Sequence, residues 1–237
     1  MKTSNLNHLA IILDGNGRWA TAQKKSRTFG HEQGLNKIHD VILWAKEFDI
    51  KHITLFCFST ENWNRPKQEV KFLVEFPQKG FNEKRIKEYI KNDIKVNWIG
   101  RRSKVPEECK NVIESLEQKT KDCKSIKFNL AFDYGSFDEV LNTFKIIYKK
   151  INDNDTDINN LNFEDIEKNL YTKNSPPVDF LIRTGGEQRL SNFLLLQCAY
   201  AELYFTKTYW PAFEKKDFEA AIKEFKSRNR RFGEIKE

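Results

Sequence analysis

The sequence predicts an α/β protein: a single domain on a central, mostly parallel six-stranded sheet flanked by helices. Two observations predict it. Short apolar or alternating runs recur between longer segments of helical period, and no linker, repeat or low-complexity block divides the 237 residues. α/β chains of this length commonly form one unit around one sheet, so the predicted domain is 1–237.

In chain order, the strand candidates are Leu9–Leu13, Ile53–Phe58, Ile94–Ile99, Ile126–Phe132, Val178–Ile182 and Leu203–Thr206. Between them, Leu35, Ile38, Ile42 and Ala45 form one helical stripe, and Phe137, Val140, Leu141, Phe144, Ile147 and Tyr148 another. Phe218, Ala221, Ile222 and Phe225 make a third near the C-terminus. In Val70–Ile90, Pro77 removes a backbone donor and Gly80 loosens the chain, which predicts a kinked or broken helix. Asp153, Asp155, Asp157 and Glu164 imitate a calcium loop, but Ile158 stands where the sharp turn requires Gly. A solvated acidic loop is favoured there, with Asn162 capping a helix that starts at Phe163.

Composition bounds the function. Lys and Arg outnumber Asp and Glu 41 to 34, which favours polyanionic partners without choosing among phosphates, nucleic acid and an anionic membrane. Aromatics are 13% of the chain, 19 of them Phe, enough to build a large core or to line a greasy cavity. Leu9–Leu13 is too short for a signal-peptide core, and Phe193–Phe205, broken by Gln197 and Glu202, is too short to span a bilayer. The expectation is a soluble or peripheral protein. Cys57, Cys109, Cys123 and Cys198 are scattered without metal spacing and read as reduced thiols serving as small hydrophobes.

Three segments carry chemistry. The first strand runs into Asp14-Gly15-Asn16-Gly17-Arg18-Trp19-Ala20. Two glycines allow a tight turn and close approach to a ligand, the next helix offers N–H groups to an anion, and Arg18 adds charge. Asp14, at a strand end, is placed to hold Mg2+ against phosphate oxygens. A plain turn with a surface arginine fits this segment alone equally well. The residues also match the dinucleotide fingerprint, but Lys24-Lys25-Ser26-Arg27 and a helical stripe stand where that motif needs a second strand ending in an acid. After the second strand comes Ser59-Thr60-Glu61-Asn62-Trp63-Asn64-Arg65-Pro66, a polar cluster with a Trp at a strand end. The fifth strand runs into Arg183-Thr184-Gly185-Gly186-Glu187-Gln188-Arg189-Leu190-Ser191-Asn192-Phe193, ahead of an expected apolar helix. Its arginines suit a second polyphosphate. Glu202 is a carboxylate in an otherwise apolar run and a candidate second magnesium ligand, with an exposed edge position as the alternative.

These clusters together resemble the signature regions of the cis-prenyltransferases of the undecaprenyl diphosphate synthase type, from His8 to about Gly233. The resemblance implies a hydrophobic tunnel for a growing chain, a homodimer and Mg2+ as cofactor. It implies isopentenyl diphosphate and an allylic diphosphate, farnesyl diphosphate, as substrates of a cytoplasmic enzyme that can touch the membrane peripherally. Its product would be a precursor of the cell-wall carrier lipid. Carried over by position, Asp14 is the catalytic aspartate and a Mg2+ ligand, and Gly15, Asn16, Gly17 and Arg18 hold the allylic diphosphate. Trp19, Arg27 and His31 match further contacts. Ser59, Thr60 and Glu61 match a substrate-binding strand end, Asn62 the position proposed as proton acceptor, and Trp63 and Arg65 more contacts. Arg183, Arg189, Leu190 and Ser191 match the isopentenyl diphosphate site, and Glu202 a Mg2+ ligand.

The chain departs from the family at Gln188, where relatives often carry a His, and at Pro77-Gln78-Lys79-Gly80. It departs again at Asp133-Tyr134-Gly135-Ser136-Phe137, in place of Asn-Tyr-Gly-Gly-Arg. Two rivals remain. A non-catalytic subunit of the same fold would be expected to lose Asp14 or the Arg183–Ser191 cluster, and both are intact. A nucleic-acid module would spread basic and aromatic residues over one surface, whereas these arginines gather at strand ends, so no nucleic-acid partner is expected.

Overall fold

The computed structural model describes residues 5–230. All six expected strands form, as β1 (His8–Ile12), β2 (His52–Ser59), β3 (Ile94–Ile99), β4 (Ile126–Tyr134), β5 (Phe180–Arg183) and β6 (Glu202–Phe205). They make one sheet in the order β3-β4-β2-β1-β5-β6, with every pair parallel. A wholly parallel sheet must be covered on both faces. Accordingly β1 and β5 are buried at every residue, and edge strand β6 is not.

The helices are α1 (Asn16–Ala22), α2 (Arg27–Glu47), α3 (Lys67–Val74), α4 (Phe76–Gly80), α5 (Glu83–Lys91), α6 (Glu107–Lys119), α7 (Ser136–Asn152), α8 (Phe163–Glu167) and α9 (Lys215–Ser227). Ser26 caps α2 by accepting from the Phe29 N–H at 3.3 Å. Ile38, Val41, Ile42 and Ala45 of α2 and Phe218, Ala221, Ile222 and Phe225 of α9 enter the larger core with Leu9, Ile11, Ile53 and Leu55. On the other face Ala10, Ile12, Ala131, Leu181, Phe193 and Leu194 form a smaller core. The 70–90 segment is broken twice, with Pro77 in the first turn of α4 and Asn82 capping α5. Asn162 caps α8 as expected, accepting from the Glu164 N–H at 2.9 Å. The four cysteines are free thiols. Burial pushes Cys109 and Cys198 up to about 12.

Two expectations fail. Residues 193–200 form successive turns, not a helix. Ser191, Asn192 and Leu194 take left-handed backbone at φ 52°, 62° and 48°, which stops helical hydrogen bonding while Phe193 and Leu194 stay buried. Except for Ile147, the stripe on α7 also points outward: Phe137 is 71% exposed, Phe144 63% and Tyr148 56%. The face that packs is Ser136, Glu139, Thr143 and Ile147. Periodicity finds a stripe but does not say what covers it. Among the described residues no helix is long and apolar enough to cross a membrane.

Candidate active site

In an open parallel sheet, ligands gather at the carboxyl ends of the strands. Ile12, at the end of β1, pairs with Arg183, at the end of β5. Asp14 therefore emerges beside Arg183, which is buried at 4% exposure. The Arg183 Nη2 donates to Asp14 Oδ2 at 2.9 Å, and Arg18 Nη2 lies 3.1 Å from Oδ1. Thr184 Oγ1 accepts the Asp14 N–H at 3.0 Å, fixing the backbone. Partial burial works to raise the Asp14 pKa, but the hydrogen bond and charge of Arg183, then the charge of Arg18, hold it below the usual carboxylate range. Gly15 follows at φ 101°, where a Cβ would stand 2.5 Å from the Tyr209 ring, and a Cβ at Gly17 would stand 2.6 Å from the Arg27 guanidinium. Gly15 is required by the left-handed turn and by Tyr209, whereas at Gly17 only the mobile end of Arg27 would have to shift.

Arg183 Nη1 also donates to Ser191 Oγ at 2.8 Å and to the Arg189 carbonyl. Glu187 bridges Arg18 at 3.2 Å and Arg189 at 2.6 Å. A second cationic group lies across the cavity. Arg65, Arg27 and His31 converge on Glu69 at 2.8, 3.3 and 3.3 Å. Burial works to raise the Glu69 pKa, yet Arg27 and Arg65 hold it low, while burial pushes His31 down. Between the groups, the turn after β2 is pinned by Asn62 Oδ1 accepting the Ser59 N–H at 3.1 Å, and Asn192 Nδ2 donates to Glu61 at 2.9 Å.

These residues surround a cavity of about 780 Å³. Asp14, Gly15, Asn16, Gly17, Arg18, Arg27, His31, Ser59, Glu61, Asn62, Arg65, Arg183, Arg189 and Ser191 line it, and Leu35, Ile38, Phe56, Leu73 and Phe76 supply apolar wall. Arg183 Nε and Asn16 Oδ1 are buried without a partner.

Five expected site residues are not in the lining. Trp19 stacks on Phe29 with ring centroids 5.9 Å apart, and Leu190 packs into the smaller core. The Thr60 hydroxyl crowds Gly135, and the Trp63 indole donates to Asp133 at 2.8 Å. Glu202 stands apart from the cavity within one chain. It pairs with Phe180 at the start of β5, three residues from Arg183. At about 3.3 Å per residue that is roughly 10 Å of strand, and its carboxylate meets Arg228 at 2.9 Å. The carboxylates of Asp14 and Glu202 are not brought together within one chain. Conversely, Glu69, Glu187 and Asn192 were not singled out from the sequence. The i,i+4 spacing of Arg65 and Glu69 across the start of α3 was the available signal for the first.

Among the described residues no group of three or more His, Cys, Asp or Glu could itself hold a metal. One strand-end aspartate beside cationic phosphate seats fits Mg2+, which takes one or two carboxylates plus substrate oxygens.

Fold and site together define an α/β protein with a cationic, apolar-walled cavity at the carboxyl ends of its strands. Residues 12–233 match the prenyltransferase family model described as "Putative undecaprenyl diphosphate synthase". The isoprenyl transferase of Clostridium tetani is 44% identical over 96% of this chain and 89% of its own. The ditrans,polycis-undecaprenyl-diphosphate synthase of Pasteurella multocida, farnesyl-diphosphate specific, is 40% identical over 97% and 95%. Among solved structures, lavandulyl diphosphate synthase from Lavandula x intermedia, in complex with dimethylallyl diphosphate, superposes with a TM-score of 0.93 at 33% identity, covering 96% of this chain and 98% of that one. A probable undecaprenyl diphosphate synthase from Campylobacter jejuni gives 0.81 at 34% identity, covering 98% and 100%. The chain belongs to the undecaprenyl diphosphate synthase family and is a cis-prenyltransferase.

Proposed function

We propose that this enzyme condenses isopentenyl diphosphate repeatedly onto farnesyl diphosphate, with Mg2+, to a long-chain polyprenyl diphosphate of the undecaprenyl class, the precursor of a cell-wall carrier lipid. The observation that carries the reading is Asp14 held between Arg18 and Arg183 at the mouth of a cavity with apolar walls. Arg18, Arg27 and the N–H groups of the Gly15–Gly17 turn seat the allylic diphosphate. Arg183, Arg189 and Ser191 seat isopentenyl diphosphate. As the allylic carbon–oxygen bond breaks and the new carbon–carbon bond forms, charge grows on the leaving diphosphate, where preorganised donors act most strongly. Bound Mg2+, held by Asp14 and phosphate oxygens, would neutralise part of that charge. The Asn62 oxygen already accepts the Ser59 N–H, so its NH2 group is what it offers a ligand. The proton lost from the isopentenyl unit then goes to a diphosphate oxygen.

The outward stripe of α7 supports a homodimer. Glu202, flanked by exposed Tyr200 and Leu203, would then bind metal only in the site of a second copy. A cytoplasmic protein with peripheral membrane contact suits substrates that are water-soluble and a product that is not. Incubation with farnesyl diphosphate, labelled isopentenyl diphosphate and Mg2+, followed by chain-length analysis, should give long-chain product, and no incorporation would overturn the reading. Leu73 faces the cavity and Val74 does not, so Leu73→Trp should shorten the product.

A further inference from the structure

Trp63 stands beside Asn62 in the active-site turn, yet its ring leaves the cavity. It meets Phe58 edge-on with centroids 5.1 Å apart, and its indole N–H reaches Asp133 Oδ1 at 2.8 Å. Asp133 is fully buried one residue before the end of β4, with left-handed φ of 51°. A carboxylate there requires compensation, and Arg101 supplies it from the end of β3. Arg101 Nε donates to Oδ2 at 3.1 Å and Nη2 to Oδ1 at 2.8 Å, while its backbone N–H donates to the Asp133 carbonyl at 3.0 Å. The approach is close, since a Cβ on Gly100 would lie 2.1 Å from the Phe132 carbonyl.

We propose that Arg101 and Asp133 are positioning residues for the prenyl-transfer reaction: a buried ion pair that anchors the Trp63 indole and so sets the place of the 59–64 turn, which presents Ser59, Glu61 and Asn62 to the cavity. The inference rests on the reading above. Two anchors hold the turn, Asn192 to Glu61 on one flank and Asp133 to Trp63 on the other. The first joins groups that both line the cavity, where a substrate can displace it. The second is remote from the cavity, and its buried charge makes its geometry specific.

Trp63→Phe keeps an aromatic ring against Phe58 and removes only the N–H. We expect backbone amides 60–64 to exchange hydrogen faster, turnover to fall by about tenfold or more, as for a misplaced substrate-binding turn, and the melting temperature to move little. Asp133→Asn keeps an acceptor for the indole and suits left-handed backbone, but removes the nearer counter-charge of Arg101 and leaves it Asp138 at 3.8 Å. It should melt lower and show part of the Trp63→Phe effect, with faster exchange at 60–64 and reduced turnover per folded molecule. The inference is overturned if Trp63→Phe changes neither exchange nor turnover, or if Asp133→Asn melts lower while exchange at 60–64 and turnover per folded molecule stay at wild type. Should the wild type form no prenyl product, the exchange measurements still decide the anchor, and the failure is that of the enzymatic reading.

Discussion

The two ends of the sheet are both rich in buried polar groups and use them in opposite ways. In the amino half, His8 donates from Nδ1 to the Pro176 carbonyl at 2.7 Å and accepts at Nε2 from the Thr54 hydroxyl at 2.7 Å. Asn129 donates to Thr54 and Ser175 at 3.1 and 3.0 Å, and accepts from Asn97 at 3.1 Å. Asp179 takes the N–H groups of Asn7 and His8 and a guanidinium of Arg230. At the carboxyl end, Asp14 and Arg183 satisfy each other only in part, and Arg183 Nε and Asn16 Oδ1 stay unpaired. Apart from His52 Nδ1, which is buried without a partner, the amino half is a closed network that specifies the fold. At the carboxyl end the charged groups surround a cavity instead of one another, and that cavity marks the site.

The largest expected effect falls at the carboxyl end. Asp14→Ala should lower turnover by several orders of magnitude, as when a charge-stabilised transition state loses its organiser. Near-normal turnover would remove Asp14 from the chemistry. Glu202 sharpens the comparison because, within its own chain, it sits at the amino end of its strand. If a second copy contributes it, Glu202→Ala should also lose activity, and mixing subunits of the two variants should restore part of it. No recovery on mixing would leave Glu202 as the structural partner of Arg228.

How much of this was legible follows the same division. Buried parallel strands are continuous apolar runs, so all six showed in the sequence, and the Asp14 and Arg183 loops showed as polar clusters at their ends. Which end of its strand Glu202 occupies did not show, because an apolar run around a carboxylate looks alike at either end, and only the register with Phe180 decides it. The 193–200 turns were hidden too. Their residues are as apolar as a buried helix, and nothing local announces left-handed Leu194. Glu69 is one acid among 34 acidic residues, and its importance lies in Arg27 and His31 arriving from another helix.

A second test addresses the closed network. Burial lowers the His8 pKa from 6.5 to about 4, and His52 behaves alike. Above pH 6.5 both folded and unfolded chains are neutral at His8. Between 6.5 and 4 the unfolded chain binds a proton that the folded one refuses, so stability falls as pH drops, by about 3 kcal/mol for His8 alone. Asp14 and Glu69 have lowered pKa values, so their contribution holds above the ordinary carboxylate range and is lost only below it. Melting temperature followed from pH 7.5 to 4 should therefore fall first through the histidines, and His8→Gln should flatten that slope. An unchanged slope in the variant would mean that His8 is not the group resisting protonation.

The smallest expected effect is at Gln188, which lies in the same loop as Arg183 and Arg189 yet is exposed. If a His at this place in relatives were an obligatory metal ligand, Gln would replace it poorly, since a neutral amide oxygen is a weaker donor than imidazole to most divalent ions. Magnesium prefers oxygen, keeps several waters, and needs only one or two carboxylates beside substrate phosphates. Asp14 stands at the cavity to provide one, and the arginines proposed to fix the diphosphates are held by Glu187, Ser191 and Glu69 without help from Gln188. Gln188→Ala should therefore cost far less than Asp14→Ala, with turnover and the half-saturating Mg2+ concentration close to wild type. A loss as deep as that of Asp14→Ala, or a requirement for Gln188→His before any turnover is seen, would show that the loop supplies a metal ligand and that a carboxylate with substrate phosphates is not enough.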